Sequence, residues 1–295
     1  MKAWCVPAFA KINLGLRILG KRPDGYHDLE TLFLQIDLGD RLFFEKTAGG
    51  RFELTCNKPD IPVDESNLCS RAYQLIADTA KRQLGVRLHL EKNIPAGAGL
   101  GGGSSDAAIT LIALNRLFAL NFSNDTLYQL ARQLGSDVPF FLIGGLCLGR
   151  GRGEILVPRA ALPKFCILLV TPPVVVSTAW AYQNYNKLGL TKTQKNRKLP
   201  SSNIEQLTGQ ELAEICQNDL ETAVFEKYEE LAAIKAQLEN SGAFVASMTG
   251  SGSAMYGLFH TPQDAESRKQ LFKNCNTFVT RPIRWGIPQV YHMQY

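Results

Sequence analysis

Between Lys11 and Ile18 apolar and polar positions alternate, with Ile12, Leu14, Leu16 and Ile18 on one side and Lys11, Asn13, Gly15 and Arg17 on the other. A period of two predicts a half-buried strand. At a rise of ~3.3 Å per residue it points Lys11 and Asn13 the same way, about 6.5 Å apart, so that they can serve one site. The turn formers Gly20-Lys21-Arg22-Pro23-Asp24-Gly25 lead into three more strand-like runs, Leu29–Ile36, Arg41–Lys46 and Arg51–Cys56, which makes the first quarter mainly β. Asn67 is placed to cap a helix from about Leu68 to Leu84, stopped by Gly85, and Val86–Lys92 alternates again. A dense glycine run then opens into an apolar helical stretch reaching about Leu120. Ser123 or Asn124 caps a helix ending at Leu134-Gly135, and Ser136-Asp137-Val138-Pro139 starts another with proline in its first turn. Gly144–Gly153 returns to strand-like sequence.

A second unit begins near Pro163 with a strand Phe165–Thr171 and a short helix capped by Ser177. A helix of about Asp219–Asn240, a strand Ala243–Met248, the turn Thr249-Gly250-Ser251-Gly252-Ser253, a strand Ala254–Phe259, a helix after Pro262 and a strand near Thr277–Arg281 complete it. The expected architecture is α+β in two domains, residues 1–162 and 163–295, with the site in the cleft between. Lys187–Lys198 carries five basic residues and no acidic one, and is expected as an exposed loop.

Composition narrows the function. With 45% hydrophobic and 20% charged residues over 295 positions the chain is a folded globular protein, not a disordered one. A net charge of +5 suits an anionic small molecule and falls short of a nucleic-acid-binding pattern. Seven scattered cysteines, odd in number and mostly within apolar runs, read as free thiols in a reducing compartment, so a cytoplasmic location is expected. No apolar run approaches the ~18 residues of a bilayer span, and neither a membrane anchor nor an obligate protein partner is expected.

Five of the seven residues from Gly97 to Gly103 are glycine, between a strand and a helix with Ser104 or Ser105 as its expected cap. Such a loop lets several backbone N–H groups converge on a phosphate at the positive end of the helix dipole; the plainer alternative is a linker or tight turn. A Walker A loop fails, because Gly103 and not lysine precedes Ser104. The dinucleotide spacing Gly97, Gly99, Gly102 is met, but the helix is followed by another helix instead of a strand ending in an acid. No H-R-D or D-F-G sequence supports a protein kinase.

Three segments together resemble the galactokinase, homoserine kinase, mevalonate kinase and phosphomevalonate kinase (GHMP) superfamily: Pro7-Ala8-Phe9-Ala10-Lys11-Ile12-Asn13-Leu14, Pro95–Ala108 with its Gly-Leu-Gly-Gly-Gly-Ser-Ser core, and Met248-Thr249-Gly250-Ser251-Gly252-Ser253-Ala254. Within it, Arg22-Pro23-Asp24-Gly25-Tyr26-His27 and Gly135-Ser136-Asp137-Val138-Pro139-Phe140-Phe141 look like the branch that phosphorylates the 2-hydroxyl of a cytidyl diphosphate-linked methylerythritol in non-mevalonate isoprenoid synthesis. The resemblance implies a ribosomal-protein-S5-domain-2-like mixed sheet with helices, then a ferredoxin-like α/β sandwich. It implies ATP on Pro95, Gly97, Gly99, Leu100, Gly101, Gly102, Gly103, Ser104 and Ser105. Mg²⁺ follows from ATP chemistry, with Ser105 as a candidate ligand, though a hydroxyl there is more often only a cap.

The resemblance also assigns Asp137 to accept the proton of the acceptor hydroxyl and Lys11 to sit against it and keep it ionised. Without it, Asp137 is a helix cap and Lys11 a solvated strand lysine. Tyr26 and His27 would hold the cytosine, one ring stacking and the imidazole hydrogen-bonding, with Tyr182 on the other face. Asn13, Gly250, Ser251 and Gly252 complete the expected substrate site. Competing readings are another alcohol kinase of the superfamily, a non-catalytic nucleotide-binding module and, more distantly, a dehydrogenase.

Overall fold

The alternation seen at Lys11–Ile18 extends in both directions: strand β1 runs Trp4–Lys21 and pairs antiparallel with β2, His27–Lys46. The computed structural model describes residues 3–159, 164–190, 199 and 209–294. The runs expected as two strands at Leu29–Ile36 and Arg41–Lys46 are a single strand, because β1 is long enough to keep Gly39 and Asp40 in the ladder opposite Phe9 and Ala8. The far half of β2 pairs with β4 (Val86–Glu91), to which β3 (Phe52–Cys56) is parallel. The near half pairs with β5 (Leu146–Gly151), followed by β6 (Ile155–Pro158).

Helices α1 (Leu68–Ala80), α2 (Gly102–Leu117), α3 (Asn124–Leu134) and α4 (Val138–Ile143) share one core with Val6, Leu42, Leu88 and Leu90 of this sheet. Asn67 caps α1 as expected, accepting the Cys69 N–H at 2.8 Å. The helix ends at Ala80, short of Gly85, because Lys81 takes a left-handed conformation (φ 50°) and donates its N–H back to Ala77 and Asp78.

The second unit comprises β7 (Cys166–Thr171), α5 (Thr178–Lys187), α6 (Gly209–Ile215), α7 (Glu221–Phe225), α8 (Glu229–Asn240), β8 (Val245–Met248), β9 (Met255–Phe259), α9 (Pro262–Arg268) and β10 (Asn276–Thr280). Its antiparallel sheet has the order β10-β7-β9-β8, the ferredoxin-like arrangement. The helix expected over Asp219–Asn240 is two helices, interrupted where Tyr228 leaves the helical region (ψ 70°) and its ring meets Trp180 edge-on at 5.5 Å.

β1 is buried on both faces, not the one that its alternation suggests. Ile12, Leu14, Leu34 and Ile36 join Leu169, Tyr256 and Leu258 of the second sheet in a shared core, and the Tyr256 hydroxyl donates to the Leu14 carbonyl at 2.8 Å. The approach is close: a Cβ at Gly15 would stand 2.1 Å from the Ile215 carbonyl oxygen. After β10 the chain crosses back, and a helix that periodicity does not announce, α10 (Ile287–His292), packs on α2. Arg116 donates to the Val290 carbonyl, and Asn115 to the Tyr291 hydroxyl. The expected boundary at 162/163 lies outside the described residues, as does most of Lys187–Lys198.

Burial sorts the cysteines. Cys69, Cys147 and Cys216 are buried, and burial pushes the thiols of Cys147 and Cys216 up to about 12. Cys5, Cys56, Cys166 and Cys275 are partly open. Because the thiolate is the reactive form, native protein treated with a maleimide near pH 8 and analysed by peptide mass spectrometry should label only within the second set. Modification of Cys69, Cys147 or Cys216 before unfolding would contradict this packing.

Candidate active site

β1 carries three irregularities, at Phe9/Lys11, Asn13/Gly15 and Ile18/Gly20. β1 is paired with β2 along one edge alone, so every second N–H on its other edge points away from the ladder, and two of these fasten the site. Lys11 N–H donates to the Leu100 carbonyl at 3.0 Å, and Asn13 N–H to Thr249 Oγ1 at 2.9 Å. One strand therefore anchors both the glycine loop and the later glycine turn.

The same bulged segment aims two side chains into one spot. Lys11, 4% exposed, donates to Asn13 Oδ1 at 2.8 Å, pairs with Asp137 Oδ2 at 3.3 Å, and lies 5.4 Å from the Phe33 ring centroid. Asn13 is fixed in turn by Nδ2 donating to Thr31 Oγ1 at 2.7 Å. A buried ammonium with these partners stays charged at lower cost than an isolated one. Asp137 stands at the start of α4 but makes no side-chain cap bond, so its carboxylate is committed to Lys11 and to the cleft. The capping alternative is not what this carboxylate does.

The glycine loop opens into α2 without a side-chain cap: Gly101 occupies the cap position with φ 71°, and Ser104 and Ser105 lie inside the helix. The expected serine cap is thus corrected. Left-handed φ values at Gly99 and Gly101 belong to glycine, and added Cβ atoms would come within 2.7 Å of Thr249 O and 2.8 Å of Phe141 Cζ. With no side chain claiming them, the first-turn N–H groups of α2 remain for an anion. Ser105, 1% exposed, donates its hydroxyl to the Phe9 carbonyl at 2.8 Å and braces the loop against β1. Leu100 is buried and contributes its carbonyl to Lys11; Pro95, Gly97, Gly102, Gly103 and Ser104 line a groove of about 400 Å³.

Beneath that groove lies a buried cluster that sequence patterning did not find. Lys92 is paired with Asp40 and, at 2.6 Å, with Asp106 in the second turn of α2, while Asp40 Oδ1 accepts the N–H groups of Asn93 and Ile94. The cluster fixes the chain entering the loop to the helix leaving it. Burial pushes Asp106 well above the usual carboxylate range; Lys92 opposes the shift and Asp40 reinforces it. Among the described residues no group of three or more His, Cys, Asp or Glu is placed to hold a metal. Ser104 and Ser66 are the serines that line the groove, whereas the Ser105 hydroxyl is turned to Phe9.

On the other side of the loop is a cleft of about 740 Å³. It gathers Lys11, Asn13, Asp137, Tyr26, His27, Tyr182, Gly250 and Ser251 from widely separated parts of the chain. Gly99 and Gly101 line both the cleft and the groove, so the loop is the wall between them. Tyr26 is 56% exposed with the Arg152 guanidinium 4.7 Å from its ring. His27 is stacked by Tyr182, centroids 5.1 Å apart and planes at 22°, and its Nε2 lies 2.8 Å from Asn186 Oδ1. Burial, with the Asp137 charge adding, raises the Tyr182 hydroxyl and keeps it a neutral donor.

Ser251 Oγ is 2.8 Å from Thr178 Oγ1, whereas Gly252 turns away from the cleft, where a Cβ would meet Met248 Sδ at 2.8 Å. Asn218 holds this turn, with Nδ2 donating to the carbonyls of Met248 at 2.8 Å and Gly250 at 2.7 Å. Lys21, Arg152, Thr178 and Asn186 also line the cleft. Periodicity gave no sign of them, since each reaches the site through tertiary contact alone.

Residues 67–145 match the description "GHMP kinases N terminal domain" and residues 202–274 match "GHMP kinases C terminal". The chain is 44% identical over 267 residues to a 4-diphosphocytidyl-2-C-methyl-D-erythritol kinase of Prosthecochloris aestuarii, covering 90% of this chain and 92% of that one. It is 42% identical over 264 residues to the kinase of the same name from Pelotomaculum thermopropionicum, covering 90% and 91%. A crystal structure of 4-(cytidine 5'-diphospho)-2C-methyl-D-erythritol kinase superposes with a TM-score of 0.82 at 35% identity, over 95% of this chain and 99% of that one. Homoserine kinase from Cytophaga hutchinsonii, at 19% identity and a TM-score of 0.69 over 96% of each chain, shares the fold.

Gly101 tests the wall directly. Gly101→Ala forces a left-handed residue and a methyl into the space of Phe141 and Lys11, a strain of about 1–3 kcal/mol. Calorimetry should show a lower Tm and nucleotide affinity reduced about tenfold or more. Unaltered binding would mean that the loop does not shape the groove.

Proposed function

The chain belongs to the GHMP kinase family, and we infer that it transfers the terminal phosphoryl group of ATP to the 2-hydroxyl of 4-diphosphocytidyl-2-C-methyl-D-erythritol, giving the 2-phosphate and ADP. One observation carries the mechanism: a single glycine loop separates a phosphate-sized groove from a larger cleft, and Lys11 and Asp137 stand together on the cleft side. Phosphoryl transfer requires an oriented nucleophile, stabilised equatorial oxygens and an in-line path more than covalent help. Donor and acceptor entering from opposite sides of one wall meet that need.

In this reading the triphosphate lies on the uncapped N-terminus of α2 and the loop Gly97–Ser104, with the adenine toward Pro62 and Leu68, which line the same groove. Asp137 accepts the proton of the 2-hydroxyl. Lys11 pairs with that carboxylate and turns positive charge toward the oxygens that gain negative charge. Asn13 orients Lys11 and leaves it little rotational freedom. Ser104, which lines the groove, would hold a magnesium ion arriving with ATP, and that ion would supply positive charge to offset that of the phosphates.

In the cleft, Tyr26, His27 and Tyr182 receive the cytosine, and Lys21 and Arg152 supply positive charge for the diphosphate. Gly250 and Ser251 close the methylerythritol end, beside Asn13 and Lys11. Residues 1–162 are assigned the nucleotide and residues 163–295 the completion of the substrate site. No helix among the described residues is long and apolar enough to cross a membrane, and seven free cysteines suit a reducing, cytoplasmic setting.

The assay supplies ATP, magnesium and the cytidyl substrate, and reads ADP together with a singly phosphorylated product. Lys11→Met and Asp137→Asn are expected to fold, to bind ATP within a few-fold of wild type, and to lose ~10²–10⁴ in kcat. Near-normal turnover in either purified variant removes that residue from the chemistry. Failure of the native chain to phosphorylate this alcohol while using another would redirect the substrate assignment within the family.

A further inference from the structure

Helix α5 presents two side chains one turn apart to the same imidazole. Tyr182 covers the face of the His27 ring, and Asn186, four residues later, meets its edge with Oδ1 2.8 Å from Nε2. His27 is 6% exposed and lines the cleft at the start of β2. Its other nitrogen, Nδ1, has no hydrogen-bond partner among the described residues, and the residue lines the cleft.

A neutral imidazole has one donor and one acceptor nitrogen, and the partner of one dictates the role of the other. An amide oxygen at Nε2 requires a proton there, which leaves the Nδ1 lone pair facing the cleft. Cytosine and uracil differ at this point: cytosine offers an exocyclic amine, a donor, where uracil offers a carbonyl, an acceptor. An Nδ1 lone pair pairs with the first and repels the second.

We propose that Asn186 is a positioning residue that selects the Nε2–H tautomer of His27, and thereby makes the cleft accept a cytidine and reject a uridine nucleotide. The inference rests on the assignment of a cytidyl substrate to this cleft and goes beyond it by naming what discriminates the base. Asn186 does not touch the base; it acts through the imidazole. Tyr182 contributes the orientation of the ring plane, which Asn186 alone, a single contact at one edge, does not fix.

The test uses the full chain with CDP and UDP as probes. Wild type should bind CDP more tightly than UDP. Asn186→Leu, close in size but without a polar group, should narrow the ratio of the two affinities about tenfold, and Asn186→Gln, which keeps an amide oxygen, should restore part of it. A residue that only supports the fold would weaken both probes alike, and an unchanged ratio in Asn186→Leu overturns the proposal. Long-range proton–nitrogen NMR of the histidines, with His27 assigned through His27→Gln, gives an independent readout. A proton on Nε2 in the CDP complex is expected, and a proton on Nδ1 refutes the mechanism. If wild type bound UDP as well as CDP, base selection would be lost while the kinase assignment stood. If it bound neither, the cytidyl reading of the cleft would fall as well.

Discussion

A lysine ammonium buried in the middle of the molecule is the constraint around which the site is organised. Lys11 is enclosed by the fold, and an enclosed ammonium is tolerated only with partners that compensate its lost hydration. Those partners come from Asn13 on the same strand and Asp137 at the start of α4. To bring them together Gly101 must lack a side chain, and α4 must begin without using its first carboxylate as a cap. The chemistry and the packing thus make one demand on the backbone. Replacing Lys11 by an apolar residue relieves the fold of that demand and deprives the reaction of its charge, which is the usual opposition between stability and activity at such sites.

The unpaired edge of β1 explains how one strand can manage two loops. Lys11 and Asn13, two positions apart, both turn their N–H groups away from β2, and these hold the glycine loop through Leu100 and the later turn through Thr249. Nucleotide groove and substrate cleft are registered to the same few residues of β1, so their separation is set by covalent geometry and not by the docking of two independent bodies. The shared core of Ile12, Leu14, Tyr256 and Leu258 makes that registration rigid.

Much of this was legible in the chain. Period-two alternation put Lys11 and Asn13 on one side of a strand, the glycine density marked the loop that lines both groove and cleft, and Asp137 stood in a recognisable helix start. What failed to show has a common physical character. In the cluster Lys92 bonds Asp40, 52 positions away, and Asp106, 14 positions away, and Arg152, Asn186 and Asn218 take their roles from tertiary neighbours. Local rules also misled where a better partner lay far away: Ser105 reads as a cap but braces Phe9, and the helix expected through Asp219–Asn240 breaks at Tyr228 where Trp180 supplies a ring to pack on.

α10 returns to clasp the C-terminal end of α2, whose other end bears the phosphate loop. The Arg116–Val290 contact spans 174 residues of sequence. Ribosomal synthesis makes the chain in order, so α2 emerges long before its clasp exists, and the first sheet and its helices must wait with an uncovered flank until the last helix is released. The half of the molecule proposed to bind ATP is therefore translated well before the helix that covers its flank.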